Sequence, residues 1–347
     1  MRRAAIAAAI VAGSLSGCTS APSSDARQVD VQVPETNATA VLSTEPWKYA
    51  GAKGEIIRTR HYRVYTTETN TVIKGRLAGF LETALAHYRT EFGALPEPKQ
   101  RMDTYLMDNR AQWERVTRQL MGPHAEQLTR IQRGGFASRA IGVYYDIGLF
   151  DTFAIASHEG WHQYTQRIVR DHEGLPLPTW LEEGIAAYLE GFRWEQNVPV
   201  YNGWINTERY DQLRAAHVSK RLLSLEELLN RRPQDFLDRT GPGILDYYAQ
   251  LWALVHFLRE GDDGAYAPAF TSILEEAFGG GMRERLMAAA EPREIRQAMT
   301  SRTGSLVFEV YLGGDLASLD ASYQAFIAQL VRPGSRDAIV AGRSPFE

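Results

Sequence analysis

His158-Glu159-Gly160-Trp161-His162, followed by Thr179-Trp180-Leu181-Glu182-Glu183-Gly184-Ile185-Ala186-Ala187-Tyr188, is the part of this sequence from which the remainder is read. Residues four apart share one face of a helix, so His158 and His162 can offer both imidazoles to one metal ion. Glu159 lies about 100° round the helix from His158, where its carboxylate reaches water bound to that ion. Asp151 is expected to cap this helix, predicted over residues 151–169. Two histidines hold zinc poorly, and a catalytic zinc takes three protein ligands and keeps one position open. Downstream, Gly174, Pro176 and Pro178 make a turn. Thr179 followed by Glu182 then reads as a capping box opening a helix over residues 179–191. That assignment gives Glu182 to the helix terminus and turns Glu183 about 100° away, free to be the third ligand. Gly184, Ala186 and Ala187 are small, as close packing of this helix on the first requires. Gly160, which costs about 1 kcal/mol against Ala inside a helix, is expected to admit a close neighbour.

Working outward, the segment before the pair of motifs carries most of the strand signals. Residues 56–66 alternate with the period of a strand, residues 71–92 have helical spacing, residues 101–107 read as a short strand, and residues 109–120 as a helix. The stretch 134–145 reads as a hairpin. After residue 150 the periodic segments are helical: 151–169, 179–191, 206–217, 225–229, 245–259, 267–278, 282–290, 292–300 and 316–330. Strands first and helices afterwards predict an α+β architecture with the site between the two parts, 47–170 and 171–347.

The N-terminus has its own logic. Arg2 and Arg3 precede a short apolar run that ends at Leu15-Ser16-Gly17-Cys18, the pattern of a secretion signal over residues 1–17. Its ending resembles a bacterial lipobox, which implies that Cys18 carries a lipid and that membrane contact comes through that anchor. Cys18 is the only cysteine of the 347 residues, so no internal disulfide is possible. The polar composition of residues 18–46 predicts a tether. No later stretch approaches the length of apolar sequence that spans a bilayer. Removing Arg2 and Arg3 takes the formal net charge from −4 to −6, which argues against nucleic acid as a partner. The expected location is the bacterial envelope, lipid-anchored at the outer membrane and facing the periplasm.

The two motifs together resemble the gluzincin metallopeptidases, whose second motif reads roughly Trp-Leu-x-Glu-Gly-Phe-Ala-x-Tyr. The resemblance implies a zincin-like fold and maps the third zinc ligand onto Glu183. Twenty residues, 163–182, separate His162 from Glu183, more than in the membrane alanyl aminopeptidases of that clan. The bacterial peptidase-MA-like families are more similar. Their Tyr-Ala-Gln-x-Trp-x-Leu-Val helix resembles Tyr248-Ala249-Gln250-Leu251-Trp252-Ala253-Leu254-Val255. By analogy with the aminopeptidases, Tyr248 is the candidate oxyanion donor, with Tyr247 as the fallback and a plain core role as the alternative. The Gly-x-Met-Glu-Asn stretch that binds a free amino terminus in those aminopeptidases has no counterpart in residues 134–145. That segment is instead a candidate edge strand for an extended peptide.

The chemistry implied is zinc held by His158, His162 and Glu183, activation of water, and Glu159 as the base that takes the water's proton as it attacks an amide carbonyl of a peptide or protein substrate. Two other readings fit the same residues: a lipid-anchored zincin-fold protein that binds without catalysis, and a zinc hydrolase of a non-peptide envelope amide. His61, His87, His124, His172, His217 and His256 lack metal spacing and take structural roles by default, although His172 is near enough in sequence to approach the site. Trp161 and Trp180 are expected in the core. Substrate preference and oligomeric state are not encoded in these motifs.

Overall fold

Alternation decides the sheet. In Tyr62–Thr66 the residues Tyr62, Val64 and Thr66 are buried while Arg63 and Tyr65 are half-buried, so two faces of one strand meet different environments. A computed structural model describes residues 37–131, 134–236 and 243–347. The expected signal segment, Cys18 and most of the tether lie outside these described residues. A short helix α1 (Asn37–Ala40) precedes strands β1 (Ser43–Tyr49), β2 (Ala52–Arg58) and β3 (Tyr62–Thr66). Helix α2 (Thr71–Thr90) leads to β4 (Met102–Met107), and α3 (Arg110–Met121) and α4 (Ala125–Leu128) lead to β5 (Gly135–Ser138) and β6 (Ile141–Tyr145). The sheet order is β1-β2-β3-β4-β6-β5. β3, β4 and β6 run parallel, and the remaining neighbours pair antiparallel.

The mixed sheet is covered on both faces. Tyr62, Val64, Leu106 and Tyr144 join α2 and the following helix α5 (Leu149–His172) in the main core. Met107, Val143 and Tyr145 face the other way, against Trp113 and Val116 of α3. Beneath the site Gln163, fully buried on α5, donates to the carbonyls of Asp103 (2.8 Å) and Ala140 (3.2 Å). These bonds lash the long helix to the strand ends.

The second part is mainly helical: α6 (Thr179–Leu189), α7 (Thr207–Val218), α8 (Leu225–Asn230), α9 (Ile244–Glu260), α10 (Ala267–Gly279), α11 (Met282–Ala289), α12 (Pro292–Ser301), α13 (Leu306–Leu312), α14 (Leu316–Leu330) and α15 (Ser335–Ala341). Among the described residues, no helix is long and apolar enough to cross a membrane. One hydrophobic cluster runs from Ala40 through to Ile339, and the boundary expected at residue 170 falls inside α5.

Several sequence expectations are corrected. The span 56–66 is not one strand but the end of β2, a turn and β3, because Ile56 and Tyr65 pair with each other across a hairpin. β1 begins at Ser43, inside the predicted tether, since pairing with β2 supplies the backbone partners its polar composition cannot. Its Pro46 is tolerated because β1 is an edge strand. The helical half also holds an antiparallel pair, β7 (Phe192–Glu195) and β8 (Val198–Tyr201), too short to register as a periodic segment. Asp151 is not the cap of α5: the helix starts two residues earlier, and Gly148 holds the cap position. Thr179 is not the cap of α6 either. Pro178 stands there with no side-chain bond, and Glu182 turns away from the terminus.

Candidate metal centre

Helix α5 presents His158 and His162 one turn apart, with ring centroids 5.0 Å from each other. After the connection 173–178 the chain doubles back into α6, which brings Glu183 opposite them. Glu183 Oε2 lies 3.6 Å from His158 Nε2 and 3.5 Å from His162 Nε2. One ligand atom from each of the three residues falls within 4.8 Å of the others. Among the described residues this is the only such group of three or more His, Cys, Asp or Glu side chains. Glu183 Oε2 is buried and has no hydrogen-bond partner among the described residues. It meets the two Nε2 atoms at ion-pair distance, beyond hydrogen-bond length, so a cation among the three atoms would satisfy it.

The far side of each ring is also built. His158 Nδ1 is 2.9 Å from Glu190 Oε1, and His162 Nδ1 is 3.2 Å from Glu182 Oε1. A carboxylate on Nδ1 favours the tautomer whose Nε2 lone pair faces inward, the arrangement that supports metal-binding histidines. Glu190 is itself held by Arg209 through Nε (2.9 Å) and Nη2 (2.8 Å) and by Asn206 Nδ2 (3.1 Å). Glu182 accepts from Thr165 Oγ1 (2.5 Å) and Arg302 Nη2 (3.2 Å). Glu182 thus lies against the His162 ring and does not cap α6, the role by which the sequence set it apart from Glu183. Glu190 was missed, although its place seven residues after Glu183, two helical turns on, was a legible signal.

Electrostatics follow from this geometry. Burial opposes charge on His158, but the Glu183 and Glu190 carboxylates outweigh it and hold the ring at about 9. Burial likewise opposes charge on His162, yet Glu183 and Glu182 push its pKa well above the usual imidazole range. Burial raises the Glu190 carboxyl, and Arg209 and His158 more than reverse this, down to about 2. Glu183 is drawn below the ordinary carboxylate range by the two histidines despite its burial. Rings that hold protons this firmly offer the same lone pairs to a divalent cation. The donor set, two imidazole nitrogens and one carboxylate oxygen, could hold one metal ion.

Glu159 is half-buried beside the ligands and has no hydrogen bond or ion pair among the described residues. Tyr248, on α9, sets its ring 5.8 Å from that of His158, with the Arg209 guanidinium 5.1 Å over its other side. Burial, reinforced by the charges of Glu183 and Glu159, raises its phenol well above 10, so it stays a hydrogen-bond donor. Tyr247 is different: it is fully buried and donates to the Arg231 carbonyl at 2.9 Å. The fallback is thus committed elsewhere. Trp161 and Trp180 are core residues, 0% and 1% exposed. His172 contacts the Glu97 carbonyl at 3.2 Å, His61 sits between Glu82 and Glu97, and His256 stacks on Trp204; none of them joins the centre.

Residues 152–276 match a family described as a protein of unknown function (DUF1570), a stretch that contains every residue placed at the centre except Arg302. No curated protein matches the chain.

Proposed function

We propose that the chain is a zinc-dependent hydrolase of the metallopeptidase type, with a gluzincin-like ligand set of His158, His162 and Glu183. The observation that carries this reading is the buried Glu183 Oε2, without a hydrogen bond and lying about equally near two Nε2 atoms. A divalent ion held there supplies a Lewis acid that acidifies water and polarises a carbonyl. Glu159 takes the proton of the water attacking an amide carbonyl and delivers it to the departing amine. Tyr248 donates its hydroxyl to the oxyanion, worth roughly 3 kcal/mol when well aligned. Glu190 and Glu182 keep both rings turned inward throughout. β5, last in the sheet order, is the candidate edge for an extended peptide beyond its Ala137 carbonyl, which Gln166 already occupies.

Metal analysis tests the ligands. Wild type is expected to purify with about one zinc per chain and Glu183→Ala with almost none. Glu159→Gln is expected to keep its zinc and lose chelator-sensitive cleavage of a peptide library by at least roughly a hundredfold. Full hydrolysis in that variant rejects the mechanism.

A further inference from the structure

Helix α5 continues past the ligands. Gln166 and Arg170 stand four and eight residues beyond His162, on the same face, so the helix carries them about 6 Å and 12 Å along its axis from the ligand. A cavity of about 280 Å3 opens at this end, lined by Thr165, Gln166, Arg170, Glu182, Arg139 and Arg302 among others. Three arginines therefore line one small space: Arg302 already donates through Nε to the Leu177 carbonyl (2.8 Å) and through Nη2 to Glu182 (3.2 Å), and Arg139 through Nη2 to the Leu120 carbonyl (2.8 Å), each keeping further N–H groups. Glu182 is the carboxylate on its wall, and its oxygens are already engaged by His162, Thr165 and Arg302. Arg170 is exposed and forms no hydrogen bond or ion pair among the described residues.

The placing of Arg139 has a structural cost. Ser138 pairs with Ile141, which leaves Arg139 and Ala140 as a two-residue hairpin loop, with φ of 54° and 62°. That left-handed pair is the conformation for which Asn-Gly is preferred, and neither residue here relieves it. The tip is clamped to α5: Ala140 N donates to Gln166 Oε1 at 2.9 Å, and Gln166 Nε2 donates to the Ala137 carbonyl at 3.2 Å. Strain retained against such a clamp is characteristic of positions with a task. Here the clamp places Arg139 at the cavity wall, with its Nη2 also on Met121 Sδ at 3.1 Å.

We infer that this cavity is a carboxylate-binding subsite, in which Arg170, flanked by the partly engaged Arg139 and Arg302, selects peptides carrying an acidic group a short way from the bond to be cut. The planar guanidinium fork matches a carboxylate in bidentate fashion, which a lysine does not reproduce. An axial offset of about 12 Å is spanned by three to four residues of extended chain, or fewer with a long side chain. The carboxylate comes from an Asp or Glu side chain or from the peptide's own C-terminus. The inference rests on the peptidase reading above, and its test separates the two.

Peptides that differ only as Glu against Gln at successive positions, each made with a free or an amidated C-terminus, are offered to the zinc-loaded wild type. Binding of the same peptides to zinc-loaded Glu159→Gln is followed by fluorescence anisotropy. A carboxylate at one position is expected to tighten binding by roughly tenfold, with a matching rise in kcat/KM and a loss of the preference at high salt. The two peptide series tell a side-chain carboxylate from a terminal one. Arg170→Gln and Arg139→Gln, both at exposed positions, are each expected to bring the acid-to-amide ratio several-fold nearer to one. Acid-selective, Arg170-dependent binding without cleavage of any peptide sinks the peptidase reading and leaves the subsite standing. Cleavage or binding with no acid preference, or with a preference indifferent to both substitutions, overturns the subsite.

Discussion

Glu190 touches no ligand atom that faces the ion position, yet the His158 ring is oriented through it. Its two oxygens are shared among His158 Nδ1, Arg209 and Asn206, so the ring cannot swing without breaking a buried network. Outer partners of this kind change metal affinity without contacting the ion. Glu190→Gln is therefore expected to weaken zinc binding by about ten- to a hundredfold, read by competition with a chromophoric chelator. Unchanged affinity would show that Glu190 serves only Arg209. Gly160 is explained at the same scale. A Cβ there would stand 2.7 Å from the Tyr88 hydroxyl, which is already bonded to the Ser157 carbonyl, so α2 approaches α5 directly beside the first histidine.

Among elements, the pairing that matters is not the one the small residues of α6 led us to expect. Gly184 faces α9, not α5: a Cβ would lie 3.0 Å from the Leu251 carbonyl oxygen and 3.1 Å from Val255 Cγ2. Towards α5, α6 is held by Ser157, whose hydroxyl donates to the Leu189 carbonyl at 2.7 Å, and by Thr165 and His162 on Glu182. Glu183 sits on α6 and Tyr248 on α9, so the Gly184 contact sets the spacing between a ligand and the candidate oxyanion donor. Gly184→Val is expected to destabilise by about 2 kcal/mol or more through overpacking against helix backbone, and to lower zinc affinity as well. Thermal unfolding and metal competition measure the two effects, and a melting temperature equal to wild type would contradict the packing argument.

On the scale of the molecule, the C-terminal ends of the parallel strands gather carboxylates of their own. Glu68 follows β3, Asp108 follows β4 and Asp146 follows β6. Burial raises the Glu68 carboxyl to about 7, with Asp146 and Asp108 adding to the shift, although Asn70 N donates to it at 2.6 Å. A raised folded pKa means that the native state holds the proton more tightly than the unfolded chain. Its contribution is complete below the ordinary carboxyl value and is lost as pH climbs towards 7. Glu68→Gln is expected to flatten that decline and to add about 1–2 kcal/mol at pH 8 after allowance for solvent screening, measured by denaturant titration across pH. Identical pH profiles for the two proteins would exclude this role. The sequence by itself determined the helix bearing His158 and His162, the strand β4, the hairpin of β5 and β6, and most helix spans, because periodicity and short spacing are local properties. It misplaced both helix caps, merged β2 with β3 and passed over the short pair β7–β8, since those outcomes depend on which backbone groups find partners across the chain. Only tertiary structure decided that Glu182 and Glu190 face the rings and that Tyr248, not Tyr247, stands at the centre. Each of these is a choice among several polar or aromatic groups of like chemistry, and it is made by what the fold packs beside them.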